Sequence, residues 1–225
     1  MELEQLRQLD AIAREGTMSA AADDVARRTR ALRVGTVAPA PLWRLTALMI
    51  ERFPGLVLTS QTLAEAQVES GIHDGELDLG VALRPAASSG VRSSRLMAEN
   101  LSVALPVGHA LADRSSVSAA ELDGETFLLF EGIGFWRELC DRHFPHSQFV
   151  VQEDRAVFEQ LARSSSLPHF VTDAPSLSAP MPGRTVVPIR DAMAHATFHL
   201  LVRDGGRREA DEVFDWVRGR PDPAS

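Results

Sequence analysis

The sequence contains no lysine, since all 23 of its basic residues are arginine. Chemistry that needs a lysine amine is therefore excluded within these 225 residues, including Schiff-base formation, pyridoxal phosphate anchoring and the lysine of a phosphate-binding loop. Tyrosine is also absent, and Cys140 is the only cysteine. No intramolecular disulfide can form, and we expect the Cys140 thiol to be buried in a helix.

Positive charge and long apolar segments are lacking as well. The formal net charge is −8 at pH 7, which opposes sequence-independent attraction to the phosphates of nucleic acids. No stretch reaches the roughly 20 apolar residues that cross a membrane, and the first residues lack the pattern of an export signal. We therefore predict a cytoplasmic protein with no membrane partner. With 44% hydrophobic residues, the chain can still bury a sizeable core.

Motifs of catalysis and metal binding are missing. The tripeptide Gly132-Ile133-Gly134 lacks the third glycine of a dinucleotide fingerprint, and neither Gly-x-Ser-x-Gly nor His-Glu-x-x-His occurs. The histidine pairs His143/His146 and His195/His199 would need further ligands to hold a metal, and the sequence identifies none. We predict a non-enzymatic protein with no catalytic residues, no metal site and no cofactor.

From residue 32 onward, short apolar runs alternate with segments of helical periodicity. This alternation predicts strands at residues 32–37, 56–59, 77–83, 101–106, 127–130, 149–151, 169–172 and 197–202. It predicts helices at residues 42–53, 63–73, 135–143, 155–163 and 209–217. Strands that alternate with helices are typical of parallel sheets with right-handed crossovers, which places the chain in the α/β class.

The strand–helix rhythm restarts after residue 107, which predicts a second lobe inserted within the first. We expect two Rossmann-like lobes joined by two crossing strands, with lobe I at residues 32–106 and 199–220 and lobe II at residues 107–198. Ligands of open α/β sheets bind at the carboxyl ends of the strands, so the cleft between the lobes is the expected binding site.

The first 31 residues have a different pattern. Leu6, Leu9 and Ile12 recur at helical spacing, Gly16 is placed to end that helix, and Thr17 can cap a second helix rich in alanine. This order predicts the beginning of a helix-turn-helix, although an arbitrary helical hairpin has the same pattern.

These features resemble the LysR-type transcriptional regulators. The opening of that family is similar to MELEQLRQLDAIAREGTMSAAAD, and the start of its effector-binding domain is similar to LRVGTVAPAPLWRLTALMIERFPGLVL, GELDLGVAL and ENLSVALPVGHALAD. The resemblance implies a fold like that of the type 2 periplasmic-binding proteins. It also implies an effector-sensing domain that controls transcription in response to a small molecule, and a homodimer formed by these domains.

The resemblance breaks between Asp23 and Asp24. In the family a recognition helix, a wing and a long linker helix follow at this point, and none is present, so residues 1–31 read as a remnant of the DNA-binding head and linker. Base-specific recognition needs side chains presented in the groove. We therefore expect DNA binding only from an intact form that carries the missing recognition helix, and none from this chain.

The resemblance places effector contacts in the loops that follow the sheet strands. The residues expected to contact the effector are Ala38, Pro39, Ala40, Gln61, Thr62, Arg84, Glu131, Gly132, Ile133, Glu153 and Thr172. Many relatives have a hydroxyl in the first loop, whereas this chain has only Ala38, Pro39 and Ala40 there.

The helix N-termini at these loops would suit an anion. Against this, four acidic residues in the lobe II loops would disfavour a polyanion if they face the cleft, namely Glu131, Glu153, Asp154 and Asp173. We expect a zwitterionic, cationic or mostly apolar effector.

A free-standing small-molecule binding protein of the periplasmic-binding fold is the alternative function. It would share the two-lobed architecture, but the lack of an export signal counts against it. An enzyme on the same fold is less favoured, because neither a nucleophile motif nor a lysine is available.

Overall fold

A computed structural model describes residues 31–174 and 181–220, and the predicted helix-turn-helix remnant at residues 1–30 lies outside these ranges. The strands are β1 (Ala31–Thr36), β2 (Val57–Thr62), β3 (Leu79–Ala82), β4 (Val91–Pro106), β5 (Thr126–Phe130), β6 (Gln148–Gln152), β7 (His169–Thr172), β8 (Arg184–Pro188) and β9 (His195–Arg203). The α-helices are α1 (Pro39–Arg52), α2 (Glu65–Asp74), α3 (Ala119–Leu122), α4 (Trp136–His143), α5 (Arg155–Ser164) and α6 (Arg208–Arg218).

The first half of the structure is a sheet in which β1 is central. It pairs in parallel with β2 and β3, and β9 runs antiparallel to β3. The part of β4 from Val91 to Asn100 then pairs antiparallel with β9. Helix α6 closes this half by burying Ala210, Val213, Phe214 and Val217.

The second half is built on the remainder of β4. From Leu101 onward, β4 lies between β7 and β8 and is antiparallel to both. Strand β5 continues this sheet, in parallel with β6 and β7. The chain returns to the first half through a single turn of 3-10 helix, Ala192–Ala194, that leads into β9.

Strand β4 connects the two halves, because it is continuous over 16 residues and changes its partners between Asn100 and Leu101. Its register against β9 shifts between Arg95 and Met97, which makes a β-bulge at the buried Leu96. The predicted α/β class is confirmed. The predicted lobe boundaries at residues 106/107 and 198/199 stay a prediction, with the change of pairing at Leu101 as the observed landmark.

Every strand and helix predicted from residue 32 onward overlaps an observed one, but three features differ. The predicted strand at residues 101–106 is only the end of β4, because the preceding part begins with the polar run Arg92–Arg95 and contains the bulge, so it has no regular alternation. Strand β8 and the four-residue α3 were not predicted. Both are short, and Val186 of β8 is an exposed apolar residue, so neither has a strong periodic signal.

In the first half, the buried Asp78 pairs with the partly exposed Arg33. The Asp78 carboxylate accepts hydrogen bonds from the Arg33 backbone N–H at 2.8 Å and from Arg33 Nη2 at 3.0 Å. Arg207 Nη1 lies 3.6 Å from the same carboxylate. This ion pair ties β1 to the start of α6. None of the helices in the described ranges combines the length and the apolar character that crossing a bilayer requires.

Candidate ligand-binding site

A cavity of about 320 Å³ lies where the two halves of the sheet meet. One wall comes from the loop after β1 and the start of α1, with Ala38, Pro39, Ala40 and Trp43. The opposite wall comes from the loop after β5, the start of α4 and the end of β7. Residues on this wall include Gly132, Ile133, Trp136 and Thr172. The cavity therefore lies at the carboxyl ends of β1, β5 and β7, as open α/β sheets favour.

The wall formed by α1 has few hydrogen-bond donors. Pro39 and Pro41 have no backbone N–H, so among the first three residues of the helix only Ala40 has one. The N–H of Ala38 is already bonded to the Thr36 hydroxyl at 3.3 Å. This helix N-terminus therefore has much less capacity for an anion than the sequence-based expectation assigned to it.

A close backbone contact joins the two walls. The Phe135 N–H donates to the Val37 carbonyl at 3.1 Å. Gly134 has a φ of 65°, and a Cβ added there would lie 2.6 Å from the Val37 oxygen. Only glycine fits this approach, because a side chain would meet backbone that cannot move aside. The loop before α4 is thereby held against the loop after β1.

Glu99 of β4 lines the cavity and is only 2% exposed. The Trp136 indole N–H donates to Glu99 Oε2 at 3.3 Å. Burial raises the pKa of Glu99, hydrogen bonds from Thr172 and Trp136 oppose that rise, and the charge of Asp173 adds to it. Glu99 has no arginine or histidine partner within the ranges that the structure describes. It is a buried acid held by two neutral donors.

The arginines that line the cavity all have partners. Arg155 and Arg163 both bind Glu159, at 2.9 and 3.3 Å. Arg155 also lies over the ring of Phe130, at 5.4 Å from its centroid. Arg184 donates to the carbonyls of Leu167 and Ala162 at 2.7 and 2.8 Å. The cations of this wall therefore cover apolar surface and bind local acceptors.

His169 lines the cavity from the start of β7 and is 2% exposed. Burial and the charge of Arg184 lower its pKa to about 4, although a hydrogen bond to the Leu167 backbone opposes this change. His169 is therefore neutral at pH 7. In the described part of the chain its Nδ1 has no hydrogen-bond partner. The register places His169 opposite Ala104 and Thr172 opposite Leu101, so the two side chains lie on opposite faces of the sheet.

Six of the eleven residues expected to contact the effector line this cavity: Ala38, Pro39, Ala40, Gly132, Ile133 and Thr172. The other five do not. Gln61 and Thr62 are exposed at the end of β2, and Glu131 and Glu153 are exposed beyond β5 and β6. Arg84 is bound to Glu65 at 2.9 Å, and this carboxylate raises its pKa. The binding roles of all eleven stay a prediction.

The acidic loop residues also lie elsewhere than the charge argument assumed, because none of the four lines the cavity. Asp154 caps α5 by accepting from the Ala156 and Val157 N–H groups, at 2.7 and 3.1 Å. Asp173 accepts from the backbone and side chain of Asn100, at 2.8 and 2.6 Å. The acids that line the cavity are instead Glu99 and Glu159, and Glu159 is paired with Arg155 and Arg163.

Glu99, Trp136 and His169 were not predicted as site residues. Glu99 lies on a strand rather than in a loop, and its burial depends on β9 and α4, which are distant in sequence. A signal was present: Glu99 alternates with the apolar Met97, Leu101 and Val103 on what becomes the buried face of β4. An acid in an apolar alternation indicates a buried carboxyl group.

No group of three possible metal ligands occurs in residues 31–174 and 181–220. The predicted burial of Cys140 is confirmed, since it lies in α4 and is 1% exposed. Burial raises the pKa of its thiol to about 12.

The family model described as the LysR substrate binding domain matches residues 26–221. This chain belongs to that family. The solved structures agree with the fold. The reduced form of the OxyR regulatory domain from Pseudomonas aeruginosa has a TM-score of 0.62 at 20% identity, over 84% of this chain and 97% of that one. The BenM effector binding domain with benzoate has a TM-score of 0.59 at 16% identity, over 84% and 90%.

Curated relatives of this LysR-family chain are named as transcriptional regulators. The Hca operon transcriptional activator HcaR of Escherichia coli (strain K12) is 36% identical over 88 residues, 39% of this chain and 28% of HcaR. A probable hydrogen peroxide-inducible genes activator of Mycobacterium avium is 34% identical over 100 residues, 44% of this chain and 32% of that protein. The matches thus span about a third or less of these curated relatives.

Proposed function

We propose that this chain is the effector-sensing region of a LysR-type transcriptional regulator, and that a small molecule binds in the cavity between its two halves without being chemically changed. The observation that carries the proposal is a concave, largely apolar cavity lined by both halves, into which a few polar groups converge. A ligand that contacts both walls would favour one relative arrangement of the halves over others, and this is how binding would become a signal.

Thermal stabilisation by metabolites tests this proposal directly. A ligand at 100 times its dissociation constant should add about 2.7 kcal/mol to the free energy of unfolding. Ile133→Trp would place a bulky side chain on the wall that also holds Trp136 and Thr172, and Val157→Trp is the control on an exposed β-branched residue outside the cavity. We expect a stabilising compound to act on the control and to lose its effect on Ile133→Trp. Equal stabilisation of both variants would place the binding site elsewhere.

We also propose a homodimer that uses the apolar surface of α1 and β2. Ile50 of α1 is 72% exposed, and Val57 of β2 is exposed as well. A groove next to Ile50 is lined by Leu42, Met49, Phe53 and Leu58. Adjoining apolar residues of this kind mark association surfaces. Sedimentation at tens of micromolar should show a dimer that Ile50→Glu dissociates and Val150→Glu, on β6, does not.

The expectation for DNA follows from the gap after Asp23. Without a recognition helix this chain should not shift its own promoter fragment at physiological salt, whereas an intact form should. A specific mobility shift at submicromolar protein would contradict this part of the proposal. We place such a regulator in the cytoplasm, where its DNA is.

A further inference from the structure

The charged side chains that line the cavity differ in the partners that the protein itself provides for them. Arg155 and Arg163 share Glu159, and Arg184 donates to backbone carbonyls, so these three guanidinium groups already have partners. Glu99 has only an indole N–H and a threonine hydroxyl. A buried carboxylate without a counter-charge is costly, because neutral donors replace only part of its hydration. Glu99 therefore lacks a positively charged partner among the described residues.

Anion-binding positions at the same site are weak. The N-terminus of α1 has two prolines among its first three residues, and the N-terminus of α5 is occupied by the Asp154 carboxylate. Asp173 adds further negative charge next to Glu99. A ligand carboxylate placed near Glu99 would meet two acids and no free guanidinium in the part of the cavity that the structure describes.

We propose that the effector is an organic cation, with a protonated amine bound at the Glu99 carboxylate and an apolar or aromatic body in the rest of the cavity. This inference rests on the proposed function of the cavity as a sensing site. An ammonium group has three donors and no acceptor, which suits Glu99 and the adjacent Thr172 hydroxyl oxygen. Charge-assisted hydrogen bonds of this kind are roughly twice as strong as neutral ones.

The surroundings of Glu99 favour an organic cation over a metal ion. No group of three ligands lies close together within the described ranges. The cavity that Glu99 lines also has apolar and aromatic residues in its walls, among them Leu101, Ile133, Trp136 and Trp43. Such walls bind the hydrocarbon part of an amine through burial, and an indole face adds cation–π attraction.

Three probes that differ mainly in charge test the inference: phenethylamine, 2-phenylethanol and phenylacetate. They share a phenyl ring and a short chain, and at pH 7 they end in a cation, a neutral hydroxyl and an anion. Dissociation constants would be measured by NMR titration of the full chain. We expect the amine to bind at least about tenfold more tightly than the alcohol, equivalent to about 1.4 kcal/mol. The carboxylate should bind more weakly than the alcohol.

Two isosteric variants separate the Glu99 contact from overall charge. Glu99→Gln removes the charge and keeps an acceptor for Trp136, and we expect it to weaken amine binding about tenfold while alcohol binding changes little. Glu138→Gln is the control, because Glu138 is exposed on α4, lies outside the cavity lining and carries the same charge. It should leave all three affinities unchanged.

The outcomes distinguish failure of the inference from failure of the sensing function. If the amine shows no saturable binding at about 10 mM, or binds no better than the alcohol, the cation inference is wrong. Should a neutral or anionic metabolite then stabilise the wild type and not Ile133→Trp, the sensing function stands with a different ligand class. An absence of any such metabolite would count against the sensing function itself. Equal amine binding to the wild type and Glu99→Gln would also overturn the inference.

Discussion

Asp78 and Glu99 are both buried carboxyl groups, yet they have opposite surroundings. Asp78 is bonded to the backbone and side chain of Arg33 and lies near Arg207. Glu99 has a tryptophan and a threonine, and its nearest charge is another acid. The fold itself neutralises the Asp78 carboxylate, whereas it provides no positive charge for Glu99. Asp78 therefore stabilises the structure, and Glu99 lines a cavity that a ligand can enter.

The largest expected effect is on stability when the Asp78 pair is broken. Asp78→Ala leaves Arg33 and Arg207 without their buried partner, and such losses typically cost about 3–5 kcal/mol. We expect a decrease near the lower end of this range, because Arg33 is partly exposed. Urea unfolding measures it, with Asp113→Ala as an exposed control that should change the free energy of unfolding by less than about 0.5 kcal/mol. A loss below about 1 kcal/mol for Asp78→Ala would remove the contrast with Glu99.

The next largest effect is the contribution of His169 to the pH dependence of stability. This contribution must be known before that of Glu99 can be measured. The pKa of His169 falls from 6.5 to about 4 on folding, so the unfolded chain binds the proton first as pH decreases. Stability from this group is fully present above pH 6.5 and is lost as pH falls towards 4, by up to about 3 kcal/mol. His169→Gln should flatten this part of the pH–stability curve. An unchanged slope in the variant would assign the acid sensitivity to other groups.

Glu99→Gln should have a small effect on stability, and one of opposite sign to that of Asp78→Ala. The folded-state pKa of Glu99 is raised by burial, so the native protein holds the proton more tightly than the unfolded chain. Stability therefore falls as pH rises from the ordinary glutamate pKa of 4.5 through the raised value, and Glu99→Gln should not show this fall. At pH 8 we expect the variant to be as stable as the wild type or more stable by roughly 1 kcal/mol. A loss above about 2 kcal/mol would make Glu99 a structural group like Asp78.

The smallest effect concerns Cys140, a third buried titratable group. With a pKa of about 12 and 1% exposure, its thiol is almost entirely protonated at pH 8 and out of reach of reagents. Ellman's reagent should react with the native protein only as fast as the protein opens, and rapidly in urea. Fast labelling of the native state would show that α4, and with it Trp136 beside Glu99, is more mobile than its packing indicates.

Much of the fold could be predicted from sequence because its elements follow simple periodicities. Buried strands such as β5 are continuous apolar runs, and α5 has a strong apolar face that begins after the capping Asp154. The long β4 was only partly predicted, since Arg92, Ser93 and Ser94 conceal its first half. Exposed and bulged strands lack the alternation that a sequence-based argument needs.

The site was predicted less well than the fold. Loop residues such as Ala38 and Gly132 do line the cavity, because the carboxyl ends of strands converge by topology, and their binding role stays a prediction. Arg84 also follows a strand, but Glu65 at the start of α2 binds it and holds it away from the cavity. Such pairings depend on side-chain reach and on the packing of neighbouring elements, which periodicity does not record. The same holds for Glu99, whose surroundings come from α4 and β7.

The β-bulge at Leu96 determines on which face of the sheet each later side chain of β4 lies. Side chains alternate between the two faces of a strand, so one extra residue exchanges the inward and outward sets on one side of the bulge. Glu99 faces inward only because Leu96 is inserted between Arg95 and Met97. If Leu96 instead paired opposite Phe198 as an ordinary strand residue, while the first part of β4 kept its register, Glu99 would lie opposite His195 and turn to the other face. Ala98 would then take its place opposite Ala196. The pairing of one leucine thus decides whether a carboxyl group or a methyl group is presented to the cavity.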